Sequence, residues 1–405
     1  MTAVRSALIV GGGIAGPATA LALHRAGIDA AVHEARPAGA TTEGAFLTLA
    51  TNGLRALEAL GAAEAAELGF PTPEIVLRSA SGRPLGATPT GLTPPHGPVS
   101  RTLLRASLSA ALHDQAAGAG IPVHHGRRLV DVADGPDGVT ATFADGTRAT
   151  ADVLIGADGV FSTVRRLVDP TAPAPRYTGL LNAGGSVRGV DPGTPPGAFE
   201  MVFGRHAFFG HVASPDGATW WFANVPRRDE PARDERRDPD ALRAELLELF
   251  RGDAGAAAAL IAASEELWAL GPTHALPHVP RWHAGRMVLL GDAVHAPTPS
   301  SGQGASLALE DAVVFAACLR DTPHHRTAFE RFEAARRRRV ERIVKQALRT
   351  NSSKAPGPVG RAMRDALMPL FVRLAARSKP QREVFAYRAD EAVAPPPAEP
   401  ATAVR

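Results

Sequence analysis

Three glycines, Gly11, Gly13 and Gly16, follow the apolar run Ala7, Leu8, Ile9 and Val10, and an acid, Glu34, ends a second apolar run. In this order these residue types can hold a diphosphate. The first glycine permits a tight turn after a strand, the second a close approach of backbone to the anion, and the third a tight packing of the next helix on the sheet. The free N–H groups of that helix's first turn, around Ile14, Ala15 and Gly16, then face the anion, which the helix dipole favours. Glu34 stands near the interval of about 20 residues at which a carboxylate accepts from a ribose hydroxyl pair. Residues 7–34 therefore read as a complete βαβ dinucleotide unit, a cradle that NAD, NADP and FAD all use.

Two further polar clusters could complete such a site. In residues 156–165 a strand end runs into Asp158-Gly159, with Arg165 beyond. In residues 291–304 Asp292 follows a strand, a loop stiffened by Pro297 and Pro299 comes next, and Gly302-Gln303-Gly304 opens a helix. Asp292 can accept from a sugar-alcohol hydroxyl, and the helix start at Gly304 and Ala305 can stabilise an anionic ring.

Together the three motifs resemble the group A flavoprotein monooxygenases, the single-component aromatic hydroxylase family, over residues 7–319. The resemblance implies that the glycine cradle and Glu34 bind the adenosine half of FAD, and that Asp292 holds the ribityl chain. It further implies that Asp158 belongs to a segment associated with FAD and nicotinamide binding, and that Arg101, read as opening a helix, contacts the flavin. The loop from Pro297 to Gly304, including Pro299 and Gly302, is implied to lie beside the isoalloxazine ring, with the N–H groups near Gly304 and Ala305 at its pyrimidine edge. Ser306 stands where many members have asparagine, and Thr51 where proline is frequent. The implied reaction is hydroxylation or epoxidation of an aromatic or polyketide-like small molecule with O2, through a flavin C4a-hydroperoxide, with NAD(P)H as a transient co-substrate. No side chain is assigned a catalytic role, His295 included, and the paired histidines lack metal-ligand spacing.

The elements that must position these groups predict an α/β fold: a Rossmann-like FAD-binding domain, a β-sheet substrate domain and C-terminal helices. The first is assigned residues 1–72, 97–173 and 268–350, the second residues 73–96 and 174–267. Residues 351–390 form a C-terminal helical segment, and residues 391–405 a disordered tail. Helices are expected over residues 52–60, from Arg101 onward, and over 240–250, 305–319 and 327–348; residues 82–98 are expected to be loop. Short strands at 200–203, 207–212 and 219–225 carry Phe203, Phe208, Phe209, Trp220, Trp221 and Phe222, a candidate wall for a ring-shaped substrate. On them His211, Asn224 and Phe222 are the candidate substrate contacts. Residues 362–376, with Met363, Leu367, Leu370, Phe371 and Leu374 towards one side, are read as a helix kinked at Pro369 and packed on the core.

Composition narrows the classes further. The chain has 405 residues, 45% hydrophobic and 21% charged, with a formal charge of +3. That balance fits an ordinary soluble globular protein and argues against a nucleic-acid partner. The run Arg336 to Arg339 is read as a solvated helix face balanced by nearby glutamates. Cys318 is the only cysteine and reads as an inert packing residue. No apolar run is long enough to span a bilayer, and the location expected is the cytoplasm. A flavin-dependent halogenase is disfavoured because the first lysine is Lys345 and residues 220–226 lack a WxWxIP pattern. A flavin-linked reductase of isoprenoid chains and a non-catalytic carrier remain as alternatives, and oligomeric state is not readable.

Overall fold

The strand Ser6–Val10 has a neighbour on each side and is buried from Ala7 onward, which is why it appears in sequence as an unbroken apolar run. It pairs in parallel with Asp29–His33 and with Val153–Gly156. Val123–His124 extends one edge in parallel, Met287–Leu289 the other, and His283–Ala284 closes the sheet antiparallel. The computed structural model, which describes residues 4–39, 46–232, 238–352, 358–376 and 378–393, thus has a six-stranded, largely parallel sheet at its centre. Helices Ala15–Arg25, Arg105–Gly118 and Gly304–Arg320 share its core, as does a three-stranded antiparallel sheet built from Leu129–Asp134, Val139–Phe143 and Arg148–Ala151.

A second sheet of seven strands runs in the order Glu266–Ala275, Arg176–Arg188, Ala218–Pro226, Phe208–Ala213, Phe199–Phe203, Glu74–Ser79, Pro84–Pro89. Side chains alternate across it, so each face has its own core. Val202, Phe209, Trp221 and Ala223 pack against Leu242, Leu246, Leu260 and Ile261 from helices Pro239–Leu249 and Ala257–Ala263. Phe199, Met201, Val212, Trp220 and Phe222 point the other way, where they meet Phe46 and Phe70. The architecture is the α/β arrangement expected of the sequence.

Several elements differ from the sequence reading. Residues 82–98 hold a strand, Pro84–Pro89, whose prolines stand at its two ends and whose Leu85 is fully buried. Arg101 opens a strand, Arg101–Leu104, paired with Phe46–Leu49; the helix starts at Arg105. The arginine run is not a solvated face, because Arg336 and Arg339 are buried and ion-paired with Glu310 and Asp311. In the helix Pro358–Ala376, Met363, Leu367, Leu370, Phe371 and Leu374 face solvent, and Met368 and Val372 make the contacts to the sheet around Leu85 and Gly86. The expected disordered tail lies outside the described residues from residue 394 onward.

Candidate active site

Four polar segments leave the same carboxyl edge of the parallel sheet. The strand Asp29–His33 leads to Glu34, Ser6–Val10 to Gly11, Val153–Gly156 to Asp158, and Met287–Leu289 to Asp292. Ligands of open α/β sheets bind at such an edge. Gly11 has φ 110°, and a Cβ there would lie 2.4 Å from the Ala157 carbonyl oxygen, so only glycine fits. A Cβ on Gly16 would lie 1.9 Å from the Gly11 carbonyl oxygen, which locks the helix Ala15–Arg25 against the turn. Gly13 differs: a Cβ there would meet no protein atom within 4 Å and its φ is not positive, so neither a protein contact nor backbone strain requires glycine at this position. The helix start has no side-chain cap and no acid in its first turn, leaving its N–H groups to an anion.

Glu34 is held beside this turn. Its carboxylate accepts from the backbone N–H of Gly12 at 2.5 Å and from Arg36 N–H and Nε at 2.9 and 3.2 Å. Burial alone would raise its pKa, but these hydrogen bonds and the Arg36 charge hold the carboxyl below the usual range. It is therefore a ready acceptor for a ribose hydroxyl pair. Asp158 is placed at the same edge, but its carboxylate caps its own helix, accepting from Thr163 and Val164 N–H at 2.7 and 3.1 Å and from the Ser162 hydroxyl. The buried Arg165 then joins this turn to the next segment, donating to the carbonyls of Ala293 and Val160 at 2.9 and 2.8 Å.

Asp292 is open to solvent on one side and enclosed by protein on the others. That enclosure pushes its carboxyl above the usual range, against the opposing charges of His295 and Arg105. Arg105, exposed at the start of its helix, is thus the arginine whose charge reaches Asp292. Arg101 is occupied elsewhere: its guanidinium donates to the carbonyls of Ala66 and Gly69 at 2.8 Å each and pairs with Glu67. Both arginines stand three residues before one leucine and seven before another, so periodicity alone could not separate them.

The loop after Asp292 is braced from behind. Asp311 accepts from Gly291 N–H at 2.9 Å, pairs with His295 Nε2 at 2.6 Å and accepts from Arg336 Nε at 2.7 Å. Burial works against its charge, yet the His295 and Arg336 charges and these hydrogen bonds pull its pKa down to about 2. Pro299 and Gly302 lie on an accessible turn, and Gly304 and Ala305 open the helix Gly304–Arg320 without a side-chain cap. Ser306 is buried against the helix Thr51–Ala59, where a Cβ on Gly53 would be 2.4 Å from its hydroxyl. Thr51 uses its hydroxyl to accept from Leu92 N–H at 2.8 Å and donate to the Pro98 carbonyl at 3.1 Å.

A family model described as FAD binding domain matches residues 5–347. The aurachin C monooxygenase/isomerase of Stigmatella aurantiaca is 34% identical over 341 residues, 83% of this chain and 86% of that protein. The FAD-dependent urate hydroxylase of Klebsiella pneumoniae is 34% identical over 359 residues, 84% of this chain and 88% of that protein. The chain belongs to the group A FAD-dependent monooxygenases. The structure of Klebsiella pneumoniae HpxO complexed with FAD and uric acid superposes with a TM-score of 0.79 at 27% identity, covering 95% of this chain and 96% of that one. This monooxygenase therefore takes FAD, and the cradle fits it: an uncapped helix start, a carboxylate at ribose distance in sequence and a glycine, Gly13, that no protein contact requires. These relatives are named as a monooxygenase and a hydroxylase, which supports the monooxygenase reading and not the reductase or carrier alternatives.

The second sheet carries a wall of aromatic rings. Phe46, from the first sheet's side, has its ring centroid 5.9 Å from Phe199, 5.9 Å from Trp220 and 6.0 Å from Phe222. A Cβ on Gly210 would meet the Phe222 ring at 2.5 Å, so this glycine lets the ring lie across its strand. Asn224 shares the face of Phe222 and donates from Nδ2 to Asn182 Oδ1. His211 does not: it pairs across the ladder with Trp221, on the face that packs on the two helices, and is fully buried beside Phe209. The strand period of two forces this, since Gly210, its neighbour, is the residue opposite Phe222. Phe46, Asn182, Arg105 and the Glu310–Asp311 pair were not singled out from sequence, because each gains its place only through a partner far along the chain.

Among the described residues no group of three histidine, cysteine or acidic side chains could hold a metal ion. No described helix is long and apolar enough to cross a membrane.

Proposed function

We propose that this monooxygenase inserts one oxygen atom of O2 into an uncharged, flat aromatic or polyketide-like small molecule held against the ring wall. The observation that carries this reading is the composition of that face. On Phe199–Phe203, Phe208–Ala213 and the segment from Trp220 to Asn224 it bears Phe199, Met201, Phe203, Phe208, Val212, Trp220, Phe222 and Asn224, with no charged group. The charged pair of this region, Arg78 and Glu200, lies on the opposite face with His211. The one guanidinium over these rings among the described residues, that of Arg364, lies 4.6 Å from the Phe203 ring centroid and is already paired with Asp365, so a carboxylate or ammonium substrate would lose its hydration against such a wall with little compensation. A neutral ring would stack, with the Asn182 and Asn224 amides as polar contacts that fix its orientation.

Bound FAD supplies hydride acceptance from NAD(P)H and activation of O2. The protein's part is to hold, orient and exclude water. Glu34 and the cradle anchor the adenosine and diphosphate, Asp292 with Arg105 nearby takes the ribityl chain, and the helix start at Gly304 and Ala305 stabilises negative charge on the reduced ring. The balance is substrate, O2, NAD(P)H and a proton giving hydroxylated product, NAD(P)+ and water. Incubating the FAD-loaded enzyme with NAD(P)H, 18O2 and neutral aromatic candidates should accelerate NAD(P)H oxidation and place a single 18O in the product by mass spectrometry. A bound ligand that stimulates oxidation and yields only unlabelled product would contradict the proposal.

A further inference from the structure

Glu310 is fully buried on the helix Gly304–Arg320, two turns from its start. Its Oε1 accepts from Arg339 Nη2 and from Asn52 Nδ2, both at 2.7 Å, and its Oε2 accepts from Arg339 Nε at 2.9 Å beside the Arg336 guanidinium. A carboxylate so paired has no hydrogen to give, so Asn52 must turn its NH2 group towards it. The second hydrogen of that same nitrogen reaches Gln303 Oε1 at 2.9 Å. Gln303 must therefore present its oxygen to Asn52, which turns its own NH2 group away. The usual ambiguity of amide orientation is removed by the charge at the end of the chain.

Gln303 is 5% exposed and immediately precedes Gly304, where the flavin-facing helix begins. Among the described residues its backbone N–H is satisfied by Ser301 and its carbonyl by Leu307, whereas Nε2 has no protein acceptor. We propose that Gln303 Nε2 donates to a pyrimidine carbonyl of bound FAD, and that Glu310 enforces this orientation through Asn52. The reasoning rests on the FAD site described above. Glu310 and Asn52 are positioning residues here, and Gln303 is the group that touches the cofactor. Donation to that carbonyl favours the electron-rich reduced ring over the oxidised one, so the relay raises the flavin's reduction potential.

Two variants test the relay. Gln303→Glu keeps an oxygen for Asn52 but replaces the donor by an acceptor; Asn52→Leu breaks the chain while leaving the Glu310 ion pairs. Apoprotein titrated with FAD should show each variant binding roughly tenfold more weakly, the loss of about one hydrogen bond to the cofactor. The midpoint potential of the bound flavin should fall in both, further in Gln303→Glu because of the added charge. Gln303→Glu lies at the cleft and keeps the test available should Asn52→Leu fail to fold. Wild-type protein that binds FAD tightly, beside variants with unchanged affinity and potential, overturns the relay alone. Wild-type protein that takes up no FAD overturns the site and the relay together.

Discussion

Replacing Gly13 by alanine separates the cradle's role in holding a ligand from its role in the fold. The Gly13 backbone is outside the left-handed region, so alanine is not strained there, and its Cβ would meet no protein atom within 4 Å. The apoprotein should melt at the wild-type temperature or slightly higher, since Gly→Ala at a compatible site stabilises by about 0.4–1 kcal/mol. The methyl, about 1.5 Å from the backbone, instead displaces a diphosphate from the N–H groups of the helix start. Losing two charge-assisted hydrogen bonds of roughly 1.5–3 kcal/mol each weakens FAD by about two to four orders of magnitude. Gly16→Ala is the control. Its Cβ would stand 1.9 Å from the Gly11 carbonyl oxygen, so the turn must move, costing about 1–3 kcal/mol of stability as well as affinity. Flavin fluorescence quenching on titration gives affinity, and a melt of the apoprotein gives stability. A Gly13→Ala protein whose FAD affinity stays within threefold of wild type refutes the reasoning.

Three further outcomes follow from other parts of the molecule. Asp292→Ala should lose most of its FAD on desalting while staying soluble, read as flavin absorbance per chain; undiminished occupancy would remove that side chain from the site. Arg336→Met leaves the fully buried Glu310 and Asp311 a cation short, at a cost of about 3–5 kcal/mol in denaturant unfolding, and a cost below about 1 kcal/mol would mean that these charges are compensated elsewhere. His33 stacks between His124 at 4.9 Å and Phe143 at 4.6 Å, and burial, with the charges of His124 and Arg127, lowers its pKa to about 4. Because the unfolded chain takes up the proton first, stability should fall as pH drops from about 6.5 towards 4, by on the order of 3 kcal/mol, and level off below. His33→Phe should flatten that slope in unfolding measured across this range, and an unchanged slope would exclude His33 as its source.

The cradle was legible because each of its parts is local: a strand, a turn that only glycine can make, and a helix follow one another within a few residues. Asp158 and Asp292 were legible as strand-end acids, and the parallel pairing of their strands beside Ser6–Val10 explains why they share an edge with Gly11. Arg101 and Arg105 were confused because each heads the same leucine spacing. Only the pairing of Arg101–Leu104 with Phe46–Leu49, a tertiary fact, decides which one opens the helix. His211 failed for a register reason: its face depends on its cross-strand partner, which no single strand's sequence reveals. The arginine run carried a signal that charge counting passed over. Arg336 and Arg339 continue the buried stripe of Phe329, Phe332, Val340 and Ile343 on one helix, a place where an arginine needs a buried acid. The helix Pro358–Ala376 shows the converse, since its apolar residues share a side as expected, but that side faces outward.

Everything proposed for this chain requires that four strand-end segments far apart in sequence close on one FAD molecule. Equilibrium dialysis of the apoprotein against FAD, scored as moles of flavin retained per mole of chain, tests this directly. The account predicts a single equivalent in the wild type and a loss of it in Gly13→Ala and Asp292→Ala alike, although their mutated residues lie on different strand ends. Full retention in both variants, or none in the wild type, would contradict it.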